Sequence, residues 1–287
     1  MEHKILAVMG SPGSGKTTTA IKLAQALAFR KKNVVIVFCD PFTPVIPAVV
    51  PADTVHDTSL GSLFTAPALT QKQILDACVP IRENGYISLL GYREKENLMH
   101  YPKITKDKVL ECLVSLRYLA DYIIIDTTTT FEADPASLVA MEAADQVLFL
   151  TTANLKGLSY YESHSSMLAD SRFWPEKKMI IGNQKVGQDW EVFAGMYGGT
   201  DYVLPHTTEL ERQENELMLF HPLIESESSS YQSEINHMIQ ELFSLEDDGF
   251  KEKGTKQREQ TAQRLKKQVK TKAWKGFKLP QRRKGEF

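Results

Sequence analysis

The sequence predicts an α/β fold: a mainly parallel, twisted sheet with helices on both faces. Two observations carry that prediction. Short apolar runs rich in β-branched residues alternate with segments of helical periodicity along the chain. A glycine-rich loop, Gly10-Ser11-Pro12-Gly13-Ser14-Gly15-Lys16-Thr17, stands between the first run and the first helix.

Ile5–Met9 is a buried-strand run. Over Lys16–Arg30, the residues Ala20, Leu23, Ala24 and Leu27 share one helical face. Val34–Phe38 is the second strand, and the Pro-rich stretch from Pro41 to about Pro67 reads as a loop or switch region. Ile87–Leu90 is a strand, Lys106–Leu119 a helix and Tyr122–Ile125 a strand. Pro135–Ala144 is a helix with Asp134 as its N-cap. Val147–Leu150, Met179–Ile181 and Tyr202–Leu204 are strands; Leu158–Asp170 and Ser230–Leu245 are helices. Strands separated by helices make βαβ units, whose ligands bind at the carboxyl ends of the strands. The boundaries predicted are one domain over 1–248 and a tail over 249–287.

Composition is that of an ordinary globular chain: of 287 residues, 42% are hydrophobic and 24% charged. Cys39, Cys78 and Cys112 lie far apart, an odd count without metal-ligand spacing, which points to reduced thiols. The apolar runs are too short to span a bilayer and the chain enters a strand at once, so a cytoplasmic location is expected. The net charge of −2 conceals an asymmetry. Residues 251–287 hold 14 Lys and Arg against 3 acids, which leaves 20 basic and 33 acidic side chains for the rest. Within this tail Leu265, Val269, Ala273 and Phe277 step by four, with Trp274 adjacent. A basic amphipathic helix of this kind fits an anionic membrane, DNA phosphates or a partner protein; a solvated, disordered tail is the rival reading.

The loop fits G-x-x-x-x-G-K-[ST]. Its glycines let backbone N–H groups converge on phosphate oxygens. Lys16 neutralises the β- and γ-phosphates, and the Thr17 hydroxyl ligates magnesium. The helix beginning at Thr18 points its positive end at the same phosphates. Tyr122–Asp126 is an apolar strand ending in an acid, the form of a Walker B element, so Asp126 is expected to hold magnesium directly or through water. Asp40 ends the second strand and is placed to orient an attacking water; a solvated turn residue is the alternative.

These features resemble the MinD/ParA family of P-loop ATPases. The resemblance covers most of residues 3–245. Besides the loop Gly10–Thr18, it rests on Cys39-Asp40-Pro41, Ala120–Thr127, Ala143-Ala144-Asp145-Gln146-Val147, Ile180-Ile181-Gly182-Asn183 and Val203-Leu204-Pro205. It implies ATP and Mg2+ as cofactors, with Gly10, Ser11, Gly13, Ser14, Gly15, Lys16, Thr17 and Thr18 around the phosphates. It also implies Lys16 and Asp40 as catalytic groups, Thr17 and Asp126 as metal ligands, Asn183 on adenine and Pro205 beside the base. Asn183-Gln184-Lys185-Val186 is not the N-K-x-D of guanine binders, which favours ATP. The implied function is positioning or partitioning of a cargo through an ATP-dependent homodimer, together with cargo-complex proteins and a peripheral site at membrane or nucleoid. Typical members carry a lysine after the first loop glycine; here it is Ser11, followed by Pro12, so slow or partner-dependent hydrolysis is expected, somewhat as in TadZ/CpaE-type pilus-localising proteins. Two rival readings are a P-loop tyrosine kinase, against which stands the lack of a tyrosine cluster in the tail, and a nucleotide-binding scaffold with little hydrolysis that acts through the tail.

Overall fold

The computed structural model describes residues 5–50, 59–82, 84–131, 134–173 and 178–243. The tail over 249–287, with its amphipathic stripe, lies outside the described residues, as do Trp174 and Trp274. In chain order the elements are β1 (Ile5–Gly10), α1 (Lys16–Phe29), β2 (Val34–Phe38), α2 (Ile46–Val49), α3 (Leu60–Thr65), α4 (Gln71–Ala77), β3 (Val79–Pro80) and β4 (Ile87–Leu90). There follow α5 (Lys106–Leu119), β5 (Tyr122–Asp126), α6 (Pro135–Ala143), β6 (Gln146–Thr151), α7 (Leu155–Leu168) and β7 (Lys178–Asn183). The last are α8 (Trp190–Ala194), β8 (Tyr202–Leu204), α9 (Thr208–Asn215) and α10 (Ser229–Phe243).

Among the described residues, eight strands form one sheet in the order β3-β4-β2-β5-β1-β6-β7-β8. Every pairing is parallel except the short edge pair of β3 with β4. From β1 the chain moves out on one side through β2, β3 and β4, returns beside β1 as β5, and then steps out on the other side through β6, β7 and β8, so the carboxyl end of β1 sits near the middle of one sheet edge. Strand alternation divides the core. Leu6 and Val8 of β1 face one apolar layer with α1 and α10; Ile5, Ala7 and Met9 face the other with α3, α4, α5 and α6. Both layers are closed, which is why β1 and β2 are buried along their whole length.

The predicted strands and the long helices are present, with ends shifted by up to three residues. The helix predicted from Leu158 begins at Leu155, because the Asn154 side chain accepts from the Gly157 N–H at 2.8 Å and caps an earlier turn. Asp134 caps α6 as expected, accepting from Ala136 and Ser137 N–H. The Pro41–Pro67 stretch is not all loop: Ile46–Val49 and Leu60–Thr65 are helical, the second capped by Ser59, while 51–58 lie outside the described residues. Ser226–Ser228 is a 3-10 turn, and the buried Ser228 hydroxyl donates to Glu209 Oε2 at 2.7 Å.

That bond belongs to a polar hub beneath α1. The Lys22 ammonium donates to Gln213 Oε1 and the Leu219 carbonyl, both at 2.7 Å, and to the His221 carbonyl at 3.0 Å. Glu209 accepts from the N–H groups of Ile224 and Glu225. Burial pushes the Lys22 ammonium down to about 7, against the pull of Glu209. The hub fastens the helix that follows the glycine-rich loop to the segment between α9 and α10.

Candidate functional site

The loop between β1 and α1 has the backbone its glycines allow. Gly10, Gly13 and Gly15 have φ of 152°, 67° and 84°. At Gly15 the fit is tightest: a Cβ there would stand 2.3 Å from Asn183 Nδ2, and that same nitrogen donates to the Ser14 carbonyl at 2.8 Å. Asn183 thus buttresses the loop from the end of β7. Its partner across the ladder is Leu204, so Pro205 lies at the neighbouring strand end. In this structure the Asn183 amide nitrogen is engaged by the loop. Gly15 occupies the N-cap of α1 without a side-chain cap, and the first turn of α1 holds no acid. Its first-turn N–H groups are thus left without a side-chain cap or an acid in the same turn, a helix end that favours negative charge. Thr18 is half-buried in that turn.

Lys16 curls back over the loop. Its ammonium donates to the carbonyls of Gly10 at 3.2 Å and Ser11 at 3.4 Å and to Thr129 Oγ1 at 3.0 Å. Burial lowers its pKa, opposed by the charges of Asp126 and Asp40. Thr17 Oγ1 donates to Asp126 Oδ2 at 2.5 Å. The second carboxylate oxygen, Asp126 Oδ1, is buried and has no hydrogen-bond partner among the described residues. Burial raises the Asp126 carboxyl to about 6, and Asp40 adds to the rise; the Thr17 bond and Lys16 oppose it. A buried carboxylate with one oxygen on a hydroxyl and the other unpaired is costly as it stands. A hard divalent cation satisfies both that oxygen and the Thr17 hydroxyl, so the residues present fit magnesium.

Asp40 lies at the carboxyl end of β2, beside β5: the Cys39 N–H donates to the Asp126 carbonyl at 2.9 Å. Its Oδ1 accepts from the Phe42 and Thr43 N–H groups at 2.8 and 3.0 Å. The residue therefore closes the turn it starts, and its charge acts on Lys16 and Asp126. Ser11 and Ser14 are buried, and their hydroxyls have no hydrogen-bond partner among the described residues.

The structure adds groups the sequence did not single out. After β5 the chain is fixed in steps: Thr127 N–H and Oγ1 both donate to the Val8 carbonyl, and Ser137 Oγ accepts from Thr128 N–H. Tyr160 OH, from α7, donates to the Thr129 carbonyl at 2.7 Å. Thr129, already bonded to Lys16 by its hydroxyl, is thus held from α7 as well. The run Thr127–Thr130 was legible as hydroxyl-rich, but Tyr160 lies 31 residues further on with no local signal. Lys185, in the turn after β7, brings its ammonium to 3.8 Å from where a Cβ on Gly13 would stand.

Residues 2–84 match the family model described as Zeta toxin. That match takes in the loop and β2 but stops before Asp126. No curated protein matches the chain in sequence. Among solved structures, the chain is similar to a ParA family ATPase from Chlorobium tepidum TLS (TM-score 0.66, 16% identity, 82% of this chain and 98% of that one). It is similar to the septum site-determining protein MinD from Pyrococcus horikoshii OT3, complexed with Mg-ADP (0.63, 19%, 87% and 99%). It is likewise similar to a plasmid partition protein from Borrelia burgdorferi B31 bound to AMPPNP (0.63, 18%, 85% and 99%). Identities this low speak for architecture alone, and they settle it: the chain has the P-loop fold of the ParA and MinD ATPases.

Proposed function

We propose that the chain binds ATP with magnesium and hydrolyses it, and that nucleotide controls a homodimer that positions or partitions a cargo. The observation that carries the reading is the convergence of Lys16, Thr17 and Asp126 on one glycine loop, with Asp126 Oδ1 buried and unpaired. Lys16 and the N–H groups of Gly13, Ser14, Gly15, Lys16, Thr17 and Thr18 hold the phosphates, and Gly10 and Ser11 shape the loop. Thr17 and Asp126 hold magnesium, which supplies charge neutralisation at the phosphate oxygens. Asp40 keeps one oxygen on its own turn and directs the other toward the site as a water-positioning group. The base lies along the ends of β7 and β8, by Asn183 and Pro205.

The Mg-ADP and AMPPNP held by the two similar structures support the choice of cofactors. Leu155 and Val186, each 74% exposed, follow the carboxyl ends of β6 and β7 on the same sheet edge as the loop, which supports docking of a second copy over that edge. Among the described residues no helix is long and apolar enough to cross a membrane. The tail over 249–287 contributes contacts to anionic lipid, DNA or a partner protein on a cytoplasmic protein recruited to membrane or nucleoid. Titration with a fluorescent ATP analogue, with and without magnesium, tests the reading. Tight magnesium-dependent binding that Lys16→Ala removes is expected; binding unchanged by that substitution overturns it. Light scattering with ATP and with ADP tests the dimer. Ser11 gives the scaffold reading its specific support, and phosphate release measured alone and with DNA or liposomes separates the two.

A further inference from the structure

Lys185 stands out as a cation without a counterpart. Its backbone is fixed on both sides: Gln184 N–H donates to the Leu204 carbonyl at 2.9 Å, and Gln188 N–H closes a turn onto the Lys185 carbonyl at 3.2 Å. Gly187 at φ 73° completes that turn. The strand before it is pinned to the loop by Asn183 on the Ser14 carbonyl. From this anchored position the ammonium stands 3.8 Å from where a Cβ on Gly13 would lie, beside the residue just before the loop amides that lead into α1. No hydrogen bond or ion pair engages the Lys185 ammonium among the described residues. The loop itself is poor in charge: Ser11 and Pro12 bring none, and the charge of Lys16 is shared with Asp126 and Asp40.

We infer that Lys185 is a second phosphate-binding cation, which adds from the β7 side the charge that Ser11 does not supply. Its ligand is the polyphosphate of a nucleoside di- or triphosphate held in the glycine loop, so the inference rests on the nucleotide-binding reading above. An ammonium on a flexible four-carbon stem suits the role, since it acts as a point charge and needs no fixed fork geometry. Being exposed, it acts through screened electrostatics, and salt weakens its contribution.

The test is equilibrium binding of Mg-ATP and of AMP to Lys185→Ala, Lys185→Arg and Lys16→Ala, at low and moderate salt. Lys185→Ala is expected to weaken ATP about tenfold (~1.4 kcal/mol), to leave AMP nearly unchanged and to flatten the salt dependence, while Lys185→Arg keeps most of the affinity. An unchanged melting temperature of the alanine variant shows that the fold is intact. If ATP affinity is unchanged in Lys185→Ala while Lys16→Ala abolishes it, the inference fails and the nucleotide-binding reading stands. If Lys16→Ala also binds normally, that reading fails first. An equal loss for AMP and ATP places the lysine on the part the two share (base, ribose or α-phosphate) and overturns the role on the polyphosphate.

Discussion

Gly15→Ala tests the loop and its buttress together. The substitution asks an alanine to hold φ 84° and places a methyl 2.3 Å from Asn183 Nδ2. The left-handed backbone costs about 1–2 kcal/mol for a residue with a Cβ. The overlap forces the Asn183 amide aside and removes its 2.8 Å bond to the Ser14 carbonyl, worth about 1 kcal/mol net. The sum is about 2–3 kcal/mol, or a fall in melting temperature on the order of 5–10 °C for a unit of this size. A double-mutant cycle with Asn183→Ala isolates the contact. Asn183→Ala alone loses the bond and costs about 1 kcal/mol, but it also removes the obstacle to the methyl. The double variant should therefore be less destabilised than the sum of the singles, by about 1 kcal/mol. Urea unfolding of the four proteins at pH 7.5 measures it. Strict additivity would show that Gly15 and Asn183 do not meet, and the account of the buttress would be wrong.

Three further outcomes are expected. The folded protein releases the Lys22 proton near pH 7 and the unfolded chain only near its ordinary 10.5, so the unfolded state binds more protons in between; stability should rise from about pH 7 upward, and Lys22→Met should abolish the rise in urea midpoint. Tyr160→Phe removes the donor to the Thr129 carbonyl but keeps the ring against Phe149 and His164, so a loss of about 1 kcal/mol in chemical denaturation is expected, and an unchanged midpoint would mean that water replaces the hydroxyl at no cost. Asp126→Ala should leave a folded protein whose nucleotide affinity no longer responds to magnesium, as read by titration with and without EDTA; a retained response would place the metal on other ligands.

Much of the architecture was legible because local patterns and the global fold agree. The β-branched runs at Val34–Phe38 and Tyr122–Ile125 are strands buried on both faces, and the glycine loop follows β1 as its motif requires. What escaped detection lacked such agreement. The edge strand β3 is two residues long and includes a proline, which leaves no periodicity to read. The α9 sequence is almost wholly polar, and it is a helix because Glu209 and Gln213 are drawn inward to the Lys22 hub. The helix α4 was missed as well, although Thr70 and Gln73 form a reciprocal capping box at its start. At the site, the motif residues were readable one by one. Their neighbours were not, since Tyr160 of α7 bonds the Thr129 carbonyl and Lys185 of the β7 turn approaches Gly13, and nothing local in sequence announces a contact across that distance.

The pairing of α1 with α10 has a consequence for how the molecule is made. Leu23, Leu27 and Ala28 of α1 share an apolar layer with Tyr231, Ile235, Met238, Ile239 and Leu242 of α10, and Arg30 donates to Asn236 Oδ1 at 3.3 Å. α1 is thus covered by a helix made much later, α10. About 200 residues separate them, which at roughly 5–20 residues per second amounts to some 10–40 s of synthesis with that face unprotected. Until α10 is made, the face of α1 that it covers is open to holding chaperones and to mispairing with a neighbouring copy. Any slowing of translation after residue 30 lengthens that interval.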